Sequence, residues 1–324
     1  MSILVVGGAG YIGSHVNKYL NRVGYDTVVI DNLCRGHIGS VRWGKFLRGD
    51  IGDVGFMDWV FSHHRVEAVM HFAAFAYVGE SVEKPKEYYE NNVVKTMLLL
   101  DSMVRNGVNN FIFSSTCATF GNAERVPITE LHSQNPINPY GFTKLVIERM
   151  LGDYGRAYGL CSCIFRYFNA SGADPEVEIG ECHEPETHLI PIILEVASGK
   201  REAVNIFGTD YPTDDGTCVR DYIHVCDLAE AHKLGMERLL QTGVSDHYNL
   251  GYGKGYSVKE AIGIAAEVTG AKIKVIESGR RAGDPPVLIG SMQKAESILK
   301  WQPKFSLKDS ISTAWKWQQQ GGKF

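Results

Sequence analysis

The residues best suited to proton transfer are a tyrosine and a lysine four positions apart, Tyr140 and Lys144. Pro139 precedes them and an apolar pattern typical of a helix follows, so the spacing places both side chains on one helical face. To act as a base near neutral pH, a tyrosine must lower its pKa by about three units from ~10. We expect the nearby ammonium group to contribute to that shift. A Tyr-x-x-x-Lys pair alone is equally typical of an exposed helix surface.

A cluster of hydroxyl side chains, Ser114, Ser115 and Thr116, ends the apolar segment that begins at Phe111. Ligands of open α/β sheets bind beyond the carboxyl ends of the strands. We therefore expect Thr116 to hydrogen-bond a reacting substrate oxygen and to share its proton with Tyr140. The alternative is a Ser/Thr-rich turn that caps the next segment.

Three spaced glycines, Gly7, Gly10 and Gly13, follow the apolar run 3–6 and precede a segment with helical spacing. This pattern predicts a strand, a phosphate-binding turn and a helix whose N-terminus faces a pyrophosphate. Asp31 ends the next apolar run, where a carboxylate accepts hydrogen bonds from ribose hydroxyls and repels a 2′-phosphate. NAD is therefore favoured over NADP, and its nicotinamide cation would also lower the pKa of Tyr140. A glycine-rich hairpin is the alternative.

Strand-like and helix-like segments alternate along the first half of the chain, which predicts an α/β fold with a Rossmann-type, doubly wound parallel sheet. The candidate strands are 3–6, 27–30, 46–47, 68–72, 110–114 and 160–168, and the candidate helices are 13–23, 53–63, 86–107, 139–158 and 191–199. We assign residues 1–169 to an NAD-binding domain, to which 217–251 return. Residues 170–216 and 252–324 would form a smaller α/β domain that binds a nucleotide sugar.

Composition excludes several classes of protein. The chain has 324 residues, 44% of them hydrophobic and 22% charged, as in ordinary globular enzymes. A net charge of −4 gives no bulk attraction to nucleic acid or anionic membranes. Seven scattered cysteines suit a reducing compartment, so with no cleavable signal we expect a cytoplasmic protein.

Together these residues resemble the UDP-glucose (UDP-galactose) 4-epimerase family within the extended short-chain dehydrogenase/reductases. The resemblance covers nearly the whole chain. The glycine turn and the Tyr/Lys pair are typical only of the superfamily, whereas the downstream blocks are more specific. The matching blocks are 7–15, 71–74, 78–81, 88–93, 114–116, 139–144, 166–169, 214–217, 219–225 and 280–284.

The resemblance implies which residues would bind NAD, with Asp50 and Ile51 near the adenine and Tyr140 and Lys144 also touching the nicotinamide ribose. The remaining cofactor residues would be Gly7, Gly10, Tyr11, Ile12, Gly13, Asp31, Asn32, Phe72, Ala73, Ala74, Lys84, Asn92, Ser114 and Tyr167.

For the UDP-sugar, the resemblance implies contacts from Thr116, Asn169, Leu189, Asn205, Phe207, Arg220, Arg281, Asp284 and Leu288. Arginine forks suit a pyrophosphate, although exposed surface arginines would have a similar sequence context. Leu288 corresponds to a position that varies in the family between a bulky aromatic and a small residue. That position borders the C2 substituent of the sugar, which leaves the acceptance of N-acetylated sugars open.

A loop rich in histidine and glutamate lies between residues 178 and 188. Its histidines, His183 and His188, are five positions apart with a proline between them, unlike the i, i+4 pattern of helical zinc sites. We therefore predict no metal site and interpret the segment as a loop that covers the substrate.

Three classes of function fit these residues. A 4-epimerase would remove and return a hydride at the sugar C4 with retained NAD, through a transient 4-keto sugar, with Tyr140 as base. UDP-glucose and UDP-galactose are the expected substrates, and N-acetylglucosamine or arabinose/xylose derivatives are alternatives. A nucleotide-sugar dehydratase would need an acid/base pair beside Thr116, where Cys117 and Ala118 stand, and a dehydrogenase would release reduced cofactor. A non-enzymatic NAD-sensing module would not need Thr116, Tyr140 and Lys144 together, so their presence argues against it. The family also implies a homodimer, built on helices near 86–107 and 139–158.

Overall fold

The computed structural model describes residues 1–281 and 284–324, so two residues of the 280–284 block, Ala282 and Gly283, lie outside the described residues. The described strands are β1 (Ser2–Val6), β2 (Asp26–Asp31), β3 (Lys45–Arg48), β4 (Val66–His71), β5 (Asn110–Thr116), β6 (Cys161–Tyr167), β7 (Asn169–Ser171), β8 (Val204–Phe207), β9 (Val219–Arg220), β10 (Tyr222–His224), β11 (Asp246–Leu250), β12 (Tyr256–Ser257), β13 (Val275–Ser278) and β14 (Val287–Leu288).

The α-helices alternate with these strands through the first half of the chain and then cluster in the second. They are α1 (Tyr11–Arg22), α2 (Val54–His63), α3 (Val78–Glu83), α4 (Pro85–Tyr88), α5 (Lys95–Arg105), α6 (Pro139–Tyr158), α7 (Leu189–Ala197), α8 (Val225–Thr242), α9 (Val258–Thr269) and α10 (Leu307–Gln319). No helix among the described residues combines the length and the apolar character needed to cross a lipid bilayer.

Seven parallel strands form the central sheet in the order β11-β6-β5-β4-β1-β2-β3. The order 3-2-1-4-5-6 is that of the Rossmann fold, and β11 extends it beside β6. Successive side chains of β1 enter two different cores: Ile3 and Val5 pack with α1 and α8, and Leu4 and Val6 pack with α2, α5 and α6. The sheet is therefore covered on both faces, which confirms the predicted fold class.

Two expected elements differ from the structure. The segment 86–107 is not one helix: α4 is followed by a π-helical stretch, Tyr89–Val94, before α5 begins. Within the region 217–251, which we expected to return to the first domain, the strands β9 and β10 pair outside the central sheet, β9 with β12 and β14 and β10 with β7. Of the region 217–251, β11 joins the central sheet and α8 packs beside α1 and β6.

A third core joins α7, α9 and α10 with β8 and Tyr222 of β10. In this part of the molecule β8 pairs in parallel with β13. The small elements of the second half therefore have a core of their own. They line one cavity together with residues at the carboxyl ends of the central strands, such as Ser114 and Thr116.

Candidate active site

A cavity of about 1210 Å³ runs from the glycine turn to the elements of the second half of the chain. Its wall includes nearly all of the residues singled out from the sequence. They are Gly7, Gly10, Tyr11, Ile12, Gly13, Asp31, Asn32, Asp50, Ile51, Phe72, Ala73, Ala74, Lys84, Ser114, Thr116, Tyr140, Tyr167, Asn169, Leu189, Asn205, Phe207, Arg220, Arg281, Asp284 and Leu288.

The glycine turn has the geometry of a dinucleotide site. A Cβ on Gly7, whose φ is +78°, would lie 2.4 Å from the backbone nitrogen of Ala73, and one on Gly13 would lie 2.3 Å from the carbonyl oxygen of Gly7. These two glycines are required by packing. A Cβ on Gly10 would meet only the Gly7 oxygen, at 3.3 Å, so this position is left open toward the cavity. An open backbone at the N-terminus of α1 fits a pyrophosphate.

Asp31 lies at the end of β2 with its carboxylate held in a fixed orientation. The backbone N–H of Ala9 donates to it at 3.0 Å and that of Leu33 at 2.8 Å. Burial raises the pKa of Asp31, and these two hydrogen bonds oppose the rise. A carboxylate at this edge can receive ribose hydroxyls, so the residues present fit NAD.

The next part of the wall contains a cation that the sequence did not single out. Lys95 donates to Asp50 at 2.7 Å, and Asn32 donates to the same carboxylate oxygen at 2.8 Å. These contacts hold the pKa of Asp50 below its usual value. Lys95 follows the π-helical stretch, and no motif in the sequence marked it.

Tyr140 stands in the first turn of α6, where Asn138 caps the helix by accepting from the Gly141 N–H at 2.8 Å. Its hydroxyl lies beside Thr116, which stabilises the phenolate form. Burial nevertheless raises the pKa of Tyr140 to about 12. This shift is opposite to the lowering that a tyrosine base needs, because desolvation disfavours the phenolate.

Lys144 does not line the cavity but lies behind it, one turn along α6, with 2% of its surface exposed. Its Nζ donates to the carbonyl oxygen of Ser114 at 2.9 Å and lies 4.8 Å from the Phe113 ring centroid. Burial lowers the pKa of Lys144 to about 7, although Glu148 opposes that shift.

Asn92, which the resemblance assigns to the cofactor site, is buried and is not part of the cavity wall. Its carboxamide accepts from the Phe75 N–H at 2.8 Å and donates to the Phe75 oxygen at 3.0 Å. It also donates to Thr143 at 3.2 Å. With both ends of the carboxamide engaged, Asn92 fixes the loop after β4, whose residues Phe72, Ala73 and Ala74 form the wall.

The opposite end of the cavity carries the two arginines. Arg220 donates to the Asp284 carboxylate at 2.6 Å, and the Arg281 guanidinium lies 3.9 Å from the centroid of the Phe207 ring. Leu288 pairs with Arg220 in the register of β14 and β9. This end of the cavity thus combines fixed cations with an aromatic surface, which suits a nucleotide diphosphate.

Four side chains of the histidine-rich loop also face the cavity: Glu181, His183, Glu186 and His188. The segment is a loop, so the helical spacing used to judge it from the sequence does not apply. One ligand atom from each of the four lies within 4.8 Å of the others. Sequence reasoning missed this convergence because it depends on how the loop folds.

Comparison with known proteins agrees with this geometry. The family model described as "NAD dependent epimerase/dehydratase family" matches residues 3–251. The chain is 51% identical over 321 residues to the UDP-glucose 4-epimerase of Halalkalibacterium halodurans, covering 99% of this chain and 96% of that relative.

Two solved structures are also similar over almost their full length. The UDP-glucose 4-epimerase of Brucella ovis in complex with NAD has a TM-score of 0.95 at 50% identity, covering 97% of each chain. That of Stenotrophomonas maltophila, with bound NAD and formylated UDP-arabinopyranose, has a TM-score of 0.97 at 38% identity, covering 99% of each chain. The chain therefore belongs to the NAD dependent epimerase/dehydratase family, with NAD as its cofactor.

Proposed function

We propose that this protein is a 4-epimerase of UDP-sugars that interconverts UDP-glucose and UDP-galactose, and so serves galactose metabolism. The observation that carries the proposal is one continuous cavity with three kinds of wall. The glycine turn and Asp31 form one end, Tyr140 and Thr116 the middle, and Arg220 and Arg281 the other end. The relatives of about 50% identity support the same substrate pair.

Tyr140 would take one proton from the sugar and later return it. Tyr140 accepts the proton of the sugar C4 hydroxyl, and Thr116 donates a hydrogen bond to that oxygen as the carbonyl forms. NAD bound at the glycine-turn end would supply the acceptor, and then the donor, of the hydride at C4. Tyr140 then gives its proton back to the keto oxygen after the sugar has turned over, so the cofactor is not consumed.

Lys144 would act on this step through charge. It reaches the strand that carries Thr116 by its bond to the Ser114 oxygen, and its ammonium favours the phenolate of Tyr140. Ser114 and Tyr167 hydrogen-bond to each other on the same wall and fill the space beside the catalytic pair. Asn92 and the loop it fixes would position the cofactor without touching it.

The UDP part would lie at the arginine end. Arg220 and Arg281 offer charge-assisted hydrogen bonds to the pyrophosphate, and Phe207 offers a face to the uracil. Asn169, Leu189, Asn205 and Asp284 complete this end of the wall. The separation of the two ends along the wall supports our division into an NAD-binding and a nucleotide-sugar-binding domain.

The size of Leu288 supports weaker activity on a second group of substrates, the N-acetylated UDP-sugars. Leu288 is smaller than an aromatic side chain at a position that, by resemblance, borders the sugar C2 group, so UDP-N-acetylglucosamine would be accepted more weakly. The pentose derivatives remain alternatives of the same class. A dehydratase is disfavoured because Cys117, next to Thr116, has a pKa raised to about 12 by burial and cannot serve as an acid/base partner.

The exposed apolar side chains of the α4–α6 region support a homodimer. Tyr89, Met97 and Phe142 are 38%, 39% and 45% exposed, and the rings of Tyr89 and Phe142 lie 6.4 Å apart. A second copy would bury them in a four-helix contact. The free cysteines support our placement of the enzyme in the cytoplasm.

Incubation of the purified protein with UDP-galactose and no added cofactor tests the proposal. We expect UDP-glucose to form, whereas a dehydratase would give a keto-deoxy sugar and an NAD sensor would give no product. The Tyr140→Phe variant should lose most turnover while it still binds UDP and NAD, since it removes the hydroxyl but little volume. Near-normal turnover by that variant would exclude Tyr140 as the base.

A further inference from the structure

The loop between β7 and α7 brings two imidazoles and two carboxylates to one point. The His188 Nδ1 lies 2.8 Å from a Glu181 oxygen and 3.1 Å from a Glu186 oxygen. The His183 Nδ1 lies 3.1 Å from the same Glu181 oxygen and 3.9 Å from the second oxygen of Glu186. We propose that these four residues form a zinc site that clamps the loop over the cofactor end of the cavity.

The nitrogen–oxygen separations in the cluster lie in the range of a tetrahedral ion. A zinc ion bonded to nitrogen and oxygen at about 2.0–2.1 Å separates its ligand atoms by about 3.3–3.4 Å. The observed nitrogen–oxygen separations of 2.8 to 3.9 Å bracket that value, and the four ligand atoms all lie within 4.8 Å of one another. Two imidazoles with two carboxylates form a donor set that suits Zn²⁺, whereas Mg²⁺ prefers oxygen ligands throughout.

The charges also match. The side chains of Glu181 and Glu186 are only 7% and 8% exposed. Among the described residues, these carboxylates make ion pairs only with His183 and His188. A divalent cation would displace the proton that Glu181 and Glu186 stabilise on His188, and with two neutral imidazoles it would neutralise both buried carboxylates at once. The half-exposed side of His188 leaves a path by which the ion could enter.

The donors are held in place by their surroundings. One oxygen of Glu186 accepts from the backbone N–H groups of Thr187 and His188, at 2.7 and 2.8 Å, which orients the carboxylate. The ring of His183 packs edge-on against Tyr11 and Tyr77 at centroid distances of 6.3 and 5.9 Å. Fixed second contacts of this kind orient metal ligands.

A second acidic cluster in the same loop shows the contrast. Asp174, Glu176 and Glu178 also converge, but Lys18 Nζ already lies among them at 2.6, 3.0 and 2.5 Å. A lysine ammonium supplies the counter-charge there. No lysine or arginine among the described residues makes an ion pair with Glu181 or Glu186.

A zinc ion at this site would act on the loop rather than on the sugar. His188 is the residue before α7, whose first residue, Leu189, lies on the cavity wall. Glu181 is anchored at the other end, because its carbonyl oxygen accepts from the Trp317 indole at 2.9 Å. The ion would therefore tie the start of α7 to the C-terminal helix.

The test is a metal titration of the complete protein. After removal of bound metal with a chelator, the wild type should bind one Zn²⁺ per chain, raise its unfolding temperature on binding, and bind Co²⁺ with the strong visible absorption of a tetrahedral site. Mg²⁺ should give none of these effects. His183→Gln and His188→Gln should each weaken Zn²⁺ binding by more than the ~10–100-fold that loss of an outer contact costs.

Glu184→Gln is the matched control, since Glu184 is exposed in the same loop and lies outside the cluster. It should bind Zn²⁺ as the wild type does. The proposal is overturned if the stripped wild type takes up no Zn²⁺ at micromolar concentration, or if the two histidine variants bind as tightly as the control. Metal stoichiometry is independent of sugar turnover, so failure here leaves the proposed epimerase activity untouched.

Discussion

Replacement of Lys144 by methionine should move the pH dependence of catalysis to higher pH. Burial raises the pKa of Tyr140 to about 12 and lowers that of Lys144 to about 7. For Tyr140 to work at pH 7, its pKa must fall by about five units, or about 7 kcal/mol. A unit charge on a residue four positions along a helix, about 5–6 Å away, contributes about 3 kcal/mol at an effective dielectric constant of about 20. Two cations are therefore needed: the nicotinamide and the ammonium.

The sign of the change follows from the proposed role of Tyr140 as a base. Activity requires the phenolate, so it is lost as pH falls through the apparent pKa of the coupled pair. Lys144→Met removes one of the two charges and should raise that apparent pKa by about two units. At pH 7, kcat/KM should then fall about 10²-fold, and the deficit should shrink as pH rises.

The assay is kcat/KM for UDP-galactose across pH, with the enzyme saturated with NAD. Lys95→Met is the control, because it removes a different cation, one that lines the cavity wall and pairs with Asp50. It should leave the apparent pKa unchanged whatever it does to KM. If Lys144→Met lowers kcat/KM equally at every pH, or leaves it unchanged, the charge argument is refuted.

Substitutions at three further positions test the cofactor preference, the sugar pocket and the dimer contact. Asp31→Ala should narrow the preference for NAD over NADP, because two like charges near 4 Å apart repel each other by about 1 to 4 kcal/mol. The measurement is the binding constant of each cofactor before and after the substitution. An unchanged ratio of the two constants would contradict this role of Asp31. Leu288→Cys should raise the turnover of UDP-N-acetylglucosamine relative to UDP-glucose, and Leu288→Tyr should abolish it. Discrimination by pocket size is worth only ~1–3 kcal/mol, which sets the scale of the change expected from the cysteine variant. If neither variant changes the ratio of the two kcat/KM values, another residue borders the C2 group. Phe142→Glu should shift the protein from dimer to monomer in sedimentation, and a dimer of wild-type strength would exclude the proposed contact.

Local signals predicted the elements that carry the catalytic pair. Helix α6 spans Pro139–Tyr158, the bounds expected from the sequence. Asn138 caps its start, Pro139 occupies its first position, and Gly159 ends it in the left-handed region with a φ of 72°. These signals need no tertiary contact, which is why they are readable from the chain alone.

Tertiary contacts explain what the sequence could not predict. The helix expected over 86–107 is interrupted by the π-helical stretch that contains Asn92. The Asn92 side chain donates to the carbonyl oxygen of Phe75 in the loop after β4, which is a contact between segments distant in sequence. The positions of the short strands β9 and β10 are set by pairing with β12, β14 and β7, which the apolar pattern of β9 and β10 does not reveal. The metal-type cluster depends on a loop fold that brings Glu181 next to His188, and periodicity carries no information about it.

The central claim is that the hydride removed from C4 returns to the same carbon. The most direct test uses UDP-galactose carrying deuterium at C4, incubated with the protein in ordinary water, with the UDP-glucose product analysed by mass spectrometry and NMR. The account predicts that the deuterium is retained in full at C4 of the product. Loss of the label to solvent, or its appearance at another carbon, would contradict it.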